Sequence, residues 1–282
     1  KEGCETSIRA FKEDTLIIGA GDFKDAYNLR VVEKDGIKVG LLCLVHKEFG
    51  ALGLDSKPSD YGTAWINHPL VNKTILNAKK ECDLLIVLPH AGVEDVVVPL
   101  PEWRARYKEF IDMGADTVIA SHPHTPQGWE EYNGKKIFYS LGNFFFQLFS
   151  NQHGENWYKG LIVEMDINED MQLSFEVHNT RFSETSLELD ESAECKLYNG
   201  YLCELLNEED KYWKYLNTTL KSLWIEYKLY LLRGLGAVSP TTNMHILSHA
   251  VYGLLKGPDI PMMLNNFQCE SHRWAIERML RM

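Results

Sequence analysis

The chain has 282 residues, 45% hydrophobic and 24% charged, with a formal net charge of −11 at pH 7. That balance supports a sizeable core, and at roughly 100–200 residues per domain it fits one large domain or one domain with an appendage. The acidic surface repels nucleic acid and anionic membranes, so neither is an expected partner, and an anionic substrate would need local cations to overcome the field.

Residues 4–12 read as a helix with Cys4, Ile8 and Phe11 on one side. A short apolar run over 16–18 ends in Gly19-Ala20-Gly21, which lacks the third glycine of a dinucleotide fingerprint. Residues 29–33 and 37–45 form a predicted hairpin about Lys34-Asp35-Gly36. The apolar run in the second strand predicts burial on both faces. Residues 46–67 carry no strong pattern, as in a lid or binding loop. A helix is expected over 69–81, then a buried strand over 83–89 that ends at His90. Another helix spans 101–114, opened by Pro101 and closed by Gly114. A second buried strand, 116–120, ends at Ser121-His122-Pro123-His124. Asn133-Gly134 marks a second hairpin, and a strand over 137–141 closes at Gly142-Asn143. Strands over 160–167 and 172–179 complete a β-rich section. Beyond about residue 183 the apolar spacing turns helical over 191–207, 208–232, 245–255 and 265–282. The predicted organisation is an α/β domain over 1–182 and an all-helical extension over 183–282.

The six cysteines are scattered without a CxxC pair and read as reduced thiols, which favours a cytoplasmic setting. No apolar run reaches the roughly 18–20 residues of a membrane span, and no signal peptide is read. The alternative is an extracytoplasmic protein tethered by an anchor on a segment before Lys1.

Chemistry concentrates at three histidines. His90 and His122 each follow a buried strand, and ligands of open α/β sheets gather at the strands' carboxyl ends. In extended backbone, residues i and i+2 point the same way, and Pro123 stiffens the turn. His122 and His124 are therefore expected to face one point. Neutral imidazole suits Zn, Fe, Mn or Ni. A lone histidine after a strand is usually structural; the grouping on adjacent βα units favours His90, His122 and His124 as metal ligands. Three imidazoles alone suit a mononuclear zinc site. A two-metal phosphoesterase centre also needs bridging oxygens, for which Glu94, Asp95, Asp22, Asp25 and Asn143 are the candidates. His245 and His249 share i, i+4 spacing, but Ile246 stands where a zinc protease carries glutamate. Cys269 and His272, three apart on a predicted helix, read as core packing, as do Trp213 and Tyr227.

The run from Asp83 to Phe146 resembles the CapA family of poly-γ-glutamate capsule proteins. Its HWGxE segment corresponds to His90-Ala91-Gly92-Val93-Glu94, and its GADxVIGxHPH segment to Gly114-Ala115-Asp116-Thr117-Val118-Ile119-Ala120-Ser121-His122-Pro123-His124. Its YSLGNF segment corresponds to Tyr139-Ser140-Leu141-Gly142-Asn143-Phe144. With weaker matches upstream and in the following sheet, the resemblance covers roughly residues 1–180. It implies a partial metallophosphoesterase-like α/β sandwich, two sheets flanked by helices, followed by an all-helical tail. It also implies two divalent metals (Mn, Fe or Zn) in the complete site. His90 and His122 would hold one and His124 the other; Glu94 would stand behind the ligands or against substrate; Gly142 and Asn143 would shape the loop beneath. Ala91 replaces the family's tryptophan, and Ala120-Ser121 its Gly-His. The family's early aspartate and Asn-Asn-His segment find no counterpart after Lys1, so a preceding segment or a partner chain is expected to complete the shell. Three functions follow as expectations. One is a metal-dependent hydrolase of capsule or poly-γ-glutamate biosynthesis acting on a phosphoester or an anionic polymer. The others are an incomplete binding or assembly module of a capsule complex, and a mononuclear three-histidine zinc hydrolase.

Overall fold

The computed structural model describes residues 2–11, 15–146, 154–183, 185–234 and 260–282. His245, His249 and the predicted helix over 245–255 lie outside them. Helix α1 (Glu2–Ala10), strand β1 (Ala20–Gly21) and the short α2 (Phe23–Ala26) lead into β2 (Arg30–Lys34) and β3 (Ile37–Val45). Asp35 and Gly36 have φ of 53° and 79°, the left-handed backbone that a two-residue hairpin turn demands.

Burial of β3 on both faces is not what forms. Leu42 and Leu44 are buried, while Leu41 and Cys43 are only half-buried. The covering layer on their side includes the chain at Gly19 (φ 74°), where a Cβ would lie 2.5 Å from the Cys43 carbonyl oxygen. A loop that close leaves no room for a helix.

The stretch 46–67 carries β4 (Ala51–Leu52) and β5 (Gly62–Ala64), which form a small sheet in the order β1-β5-β4. Helix α3 (Pro69–Ala78) opens with Pro69 after His68, whose Nδ1 accepts from Leu70 N at 3.2 Å. Then come β6 (Leu84–His90), α4 (Pro101–Asp112), β7 (Thr117–Ile119), β8 (Trp129–Tyr132) and β9 (Lys135–Phe138). The central sheet runs β2-β3-β6-β7-β9-β8, with β3, β6, β7 and β9 parallel and an antiparallel strand at each edge. An antiparallel sheet of β10 (Lys159–Ile167), β11 (Leu173–Phe182) and β12 (Leu187–Leu189) follows. The chain continues with α5 (Ala193–Asn207), α6 (Glu209–Gly234), α7 (Ile260–Gln268) and α8 (Glu270–Arg281). The molecule is thus a mixed α/β fold of several sheets flanked by helices, with a helical C-terminal part. The predicted helix over 265–282 is two helices, because Cys269 is extended (φ −67°, ψ 113°) and starts α8 anew.

Trp103, Tyr107 and Phe110 of α4 are buried against the sheet, Tyr107 stacking on Tyr139. Leu202, Leu205, Tyr212, Leu216, Leu220 and Ala275 of the C-terminal helices join the same core, with Trp213 and Tyr227 half-buried against it. Gly128 lets α5 approach closely: a Cβ there would lie 2.6 Å from the Leu202 carbonyl oxygen. Nearby, buried Glu130 accepts from Arg104 at 2.8 and 2.6 Å and from the Tyr139 hydroxyl, and Arg104 also donates to Leu206 O at 2.8 Å. All six cysteines are free. No described helix is long and apolar enough to cross a membrane.

Candidate metal centre

Parallel pairing sets the level of the site. Val45 lies opposite His90 in the β3–β6 register, and His90 bridges to Ser121 beyond β7. Hydrogen bonds continue past the strand ends, from His46 N to His90 O (3.2 Å) and from Ala91 N to Ser121 O (2.9 Å). Three neighbouring tips therefore deliver His46, His90 and His122 to one edge, where parallel sheets gather ligands. Ring centroids are 4.9 Å apart for His90–His122 and 5.8 Å for His122–His124. The three histidines named from sequence come together as an open row with His122 in the middle. A fourth imidazole, His46, lies 4.3 Å from His122.

The expected extended His-Pro-His path is not the one taken. His122 has φ of 111° and His124 of 59°, both in the left-handed region that side chains disfavour. Such backbone costs on the order of 1–3 kcal/mol per residue and persists where neighbours over-determine it. Here Asp95 N donates to Pro123 O at 2.9 Å. Gly92 (φ 154°) lies so close that a Cβ would sit 2.6 Å from Pro123 Cγ. The loop after β6 thus grips the loop after β7.

Hydrogen bonds then aim the rings. His90 Nδ1 is 3.1 Å from Ser121 Oγ, and His124 Nδ1 is 2.8 Å from Asn143 Oδ1. Asn143 Nδ2 donates to His124 O (3.1 Å) and Trp157 O (3.0 Å), which fixes the amide so that Oδ1 accepts from His124 Nδ1–H. The bare lone pair of His124 is then on Nε2, as in metal-binding histidines whose other nitrogen donates to oxygen. Gly142 (φ 70°) brings this loop within reach; a Cβ there would lie 2.7 Å from Lys159 O.

Burial, then the nearby His46, His90 and His124, pushes His122 well below the usual histidine range. Burial, then His46 and His124, pushes His90 down to about 4, although part of its ring reaches solvent. Both are thereby held in the neutral form that binds cations. Glu94 and Asp95 are exposed and line a cleft of about 350 Å³ with Glu48, Tyr227, Asn265 and His272. Asp22 and Asp25 serve local structure instead: Asp22 caps α2, and Asp25 pairs with Arg30 at 3.2 Å.

The residues that sequence reasoning missed are His46, Glu48 and the start of α8. His46 is 1% exposed. Its Nδ1 is 2.8 Å from Ser271 Oγ, which accepts from Trp103 Nε1 at 2.9 Å. Cys269 Sγ lies 3.7 Å from His46 Nδ1 and 3.9 Å from Glu48 Oε1. Burial pushes the Cys269 thiol up, but hydrogen bonds and positive charge at His272 and His46 outweigh it and hold it near about 7. Glu270 accepts from Lys47 N (2.8 Å), Trp65 Nε1 (2.6 Å) and Asn67 Nδ2 (3.2 Å). One signal was available: His46 comes directly after β3, as His90 closes β6. No local signal reports a contact between residues 46 and 269.

His90 and His122, held neutral, and the Nδ1 atoms of His90 and His124, engaged by oxygen, contribute to a donor set that fits a divalent transition metal. Comparison with known proteins supplies the wider setting. The chain is 36% identical over 152 residues to the capsule biosynthesis protein CapA of Bacillus anthracis, covering 51% of this chain and 36% of that protein. It is 31% identical over 148 residues to the PGA biosynthesis protein CapA of Bacillus subtilis (strain 168), covering 51% and 38%. The chain thus spans little more than a third of the length of these curated relatives. A crystal structure of a putative 5′-nucleotidase from Staphylococcus aureus, in complex with alpha-ketoglutarate, aligns at 18% identity with a TM-score of 0.35. That alignment covers 63% of this chain and 34% of that one, an overlap too loose to assign a fold. Residues 1–148 match the family described as bacterial capsule synthesis protein PGA_cap, a span that takes in the strand tips carrying His46, His90, His122 and His124, and the chain belongs to that family.

Proposed function

We propose that His90, His122 and His124 hold divalent cations, two in the complete site, and that the complete protein is a metal-dependent phosphoester-type hydrolase serving capsule or poly-γ-glutamate synthesis. One observation carries this reading: the row of imidazoles whose outer nitrogens are engaged by Ser121 and Asn143. The names of the CapA relatives support the capsule setting. Bound there, such cations supply Lewis acidity toward a phosphoryl oxygen and a water that is nucleophilic at neutral pH. The chain's own residues hold and orient. His122 stays neutral in its buried position, Asn143 fixes the His124 ring, and Glu94 and Asp95 stand at the cleft where a substrate enters. Oxygen ligands from a further segment or a partner chain complete the shell. Cations also reconcile an acidic protein with an anionic phosphoester or polymer substrate.

Among the described residues no carboxylate is hydrogen-bonded to His90, His122 or His124. That observation favours, as a second reading, an assembly module whose metal shell stays incomplete.

Elemental analysis of the full-length protein, with hydrolysis of a generic aryl phosphate, separates the readings. Two bound metals and activity lost in His124→Ala support the hydrolase. One zinc points to the mononuclear site. Metal-free protein, with His90→Ala harmless in cells, overturns the proposal in favour of the assembly module.

A further inference from the structure

The C-terminal helix brings a thiol to the sheet edge, and the groups it meets there are a histidine and a carboxylate. One donor atom from each of His46, Glu48 and Cys269 lies within 4.8 Å of the other two. His46 Nε2 is buried without a hydrogen-bond partner, 3.1 Å from Glu48 Oε1 but outside hydrogen-bond geometry. On a residue 1% exposed this nitrogen faces only the Glu48 carboxylate, and a cation between the two would satisfy both. Cys269 is fully buried and Glu48 half-buried beside the cleft.

We propose that His46, Glu48 and Cys269 form a second site, for a thiophilic divalent cation of the zinc class. It adjoins the His90–His122–His124 row, His46 lying 4.3 Å from His122, but shares no ligand with it and is completed by the C-terminal helix. Zinc bonds of about 2.0–2.3 Å in a tetrahedron place donors roughly 3.3–3.8 Å apart. The 3.1 Å from His46 Nε2 to Glu48 Oε1 and the 3.9 Å from Cys269 Sγ to Glu48 Oε1 lie close to that range, and the sulfur, 3.7 Å from His46 Nδ1, has to swing along the ring edge toward Nε2. The surroundings also fit. With zinc on Nε2, the His46 proton sits on Nδ1 and is donated to Ser271 Oγ, whose second lone pair takes the Trp103 N–H. Ligating histidines are held in this way by an oxygen behind them. The Cys269 thiol loses its proton to solvent as the zinc–sulfur bond forms. Thiolate, imidazole and carboxylate together select zinc or cobalt over magnesium or calcium. Three protein donors leave one position open toward the cleft lined by Glu48, Glu94 and His272.

This site stands whether or not the three-histidine row binds metal, and one titration tells them apart. The full chain, stripped of metal, is titrated with cobalt(II) and followed by its near-ultraviolet thiolate-to-cobalt charge-transfer absorption. The wild type is expected to show the band, its full height reached over one equivalent of the titration. His124→Ala is expected to keep it, and Cys269→Ser to lose it, with zinc affinity at that equivalent falling at least about tenfold. Serine is a good helix N-cap, so Cys269→Ser preserves the start of α8, which far-ultraviolet circular dichroism checks. Glu48→Gln, at a half-buried position, is expected to keep the band but weaken binding. No band in the wild type, or a band surviving in Cys269→Ser, overturns the proposal.

Discussion

Replacing Glu270 by glutamine tests how the C-terminal helix is held. Glu270 is 3% exposed, and its two oxygens receive three N–H groups from the segment after β3. Glutamine has the same shape, so no cavity forms. Its oxygen can stay where Oε1 receives Trp65 and Asn67, but its NH₂ must then face the Lys47 N–H. One bond to a charged acceptor, worth about 1.5–3 kcal/mol, is lost, and two donors are left opposed. The helix also loses a negative charge in its first turn, about 0.3–1 kcal/mol. A loss of about 3 kcal/mol results. At roughly 2–4 °C per kcal/mol for a chain of this size class, the unfolding midpoint of metal-free protein should fall by about 6–12 °C. Differential scanning calorimetry at neutral pH reads this directly. A midpoint within about 1 °C of wild type would mean that α8 does not seat on the Lys47–Asn67 segment through this carboxylate.

Asn143→Ala frees the His124 ring, and metal affinity measured by calorimetric titration should weaken about 10–100-fold; unchanged affinity removes Asn143 from its orienting role. His90 and His122 are held below their unfolded value of about 6.5. They therefore contribute stability that is complete above that value and drains away as pH falls through the folded value, about 4 for His90. The melting temperature of metal-free protein should drop from neutral pH toward that limit, and His122→Asn should flatten the profile; parallel wild-type and variant curves would contradict the assignment. Gly128→Ala forces a methyl against the α5 backbone and should cost about 1–3 kcal/mol, read as a lower midpoint in urea. A neutral result would show that α5 can shift freely.

Much of the central sheet is legible in the sequence because its strands are unbroken apolar runs. Residues 84–87 are all buried, and the run points directly at His90. Asp35-Gly36 and Asn133-Gly134 fix both hairpins through backbone that few other pairs adopt. The row of His90, His122 and His124 follows from strand order alone, since parallel neighbours end at one edge. What sequence hides is of two kinds. Backbone at His122 and His124 is set by Gly92 and Asp95 on another loop, so a rule for isolated His-Pro-His misreads it. The meeting of His46 with Cys269 spans 223 positions of chain and depends on α7 ending where it does. Residues 46–67 look formless for a related reason: their two strands are only two and three residues long, and Lys47, Trp65 and Asn67 are anchored on Glu270, far along the chain.

The indole of Trp103 ends on the Ser271 hydroxyl and meets the Trp274 ring edge-on at 4.9 Å, both carried by the final helix. Its emission is therefore tied to whether that helix is seated. Subtracting the emission of Trp103→Phe from that of the wild type, which carries seven tryptophans, turns this indole into an optical gauge beside the histidines that needs no label.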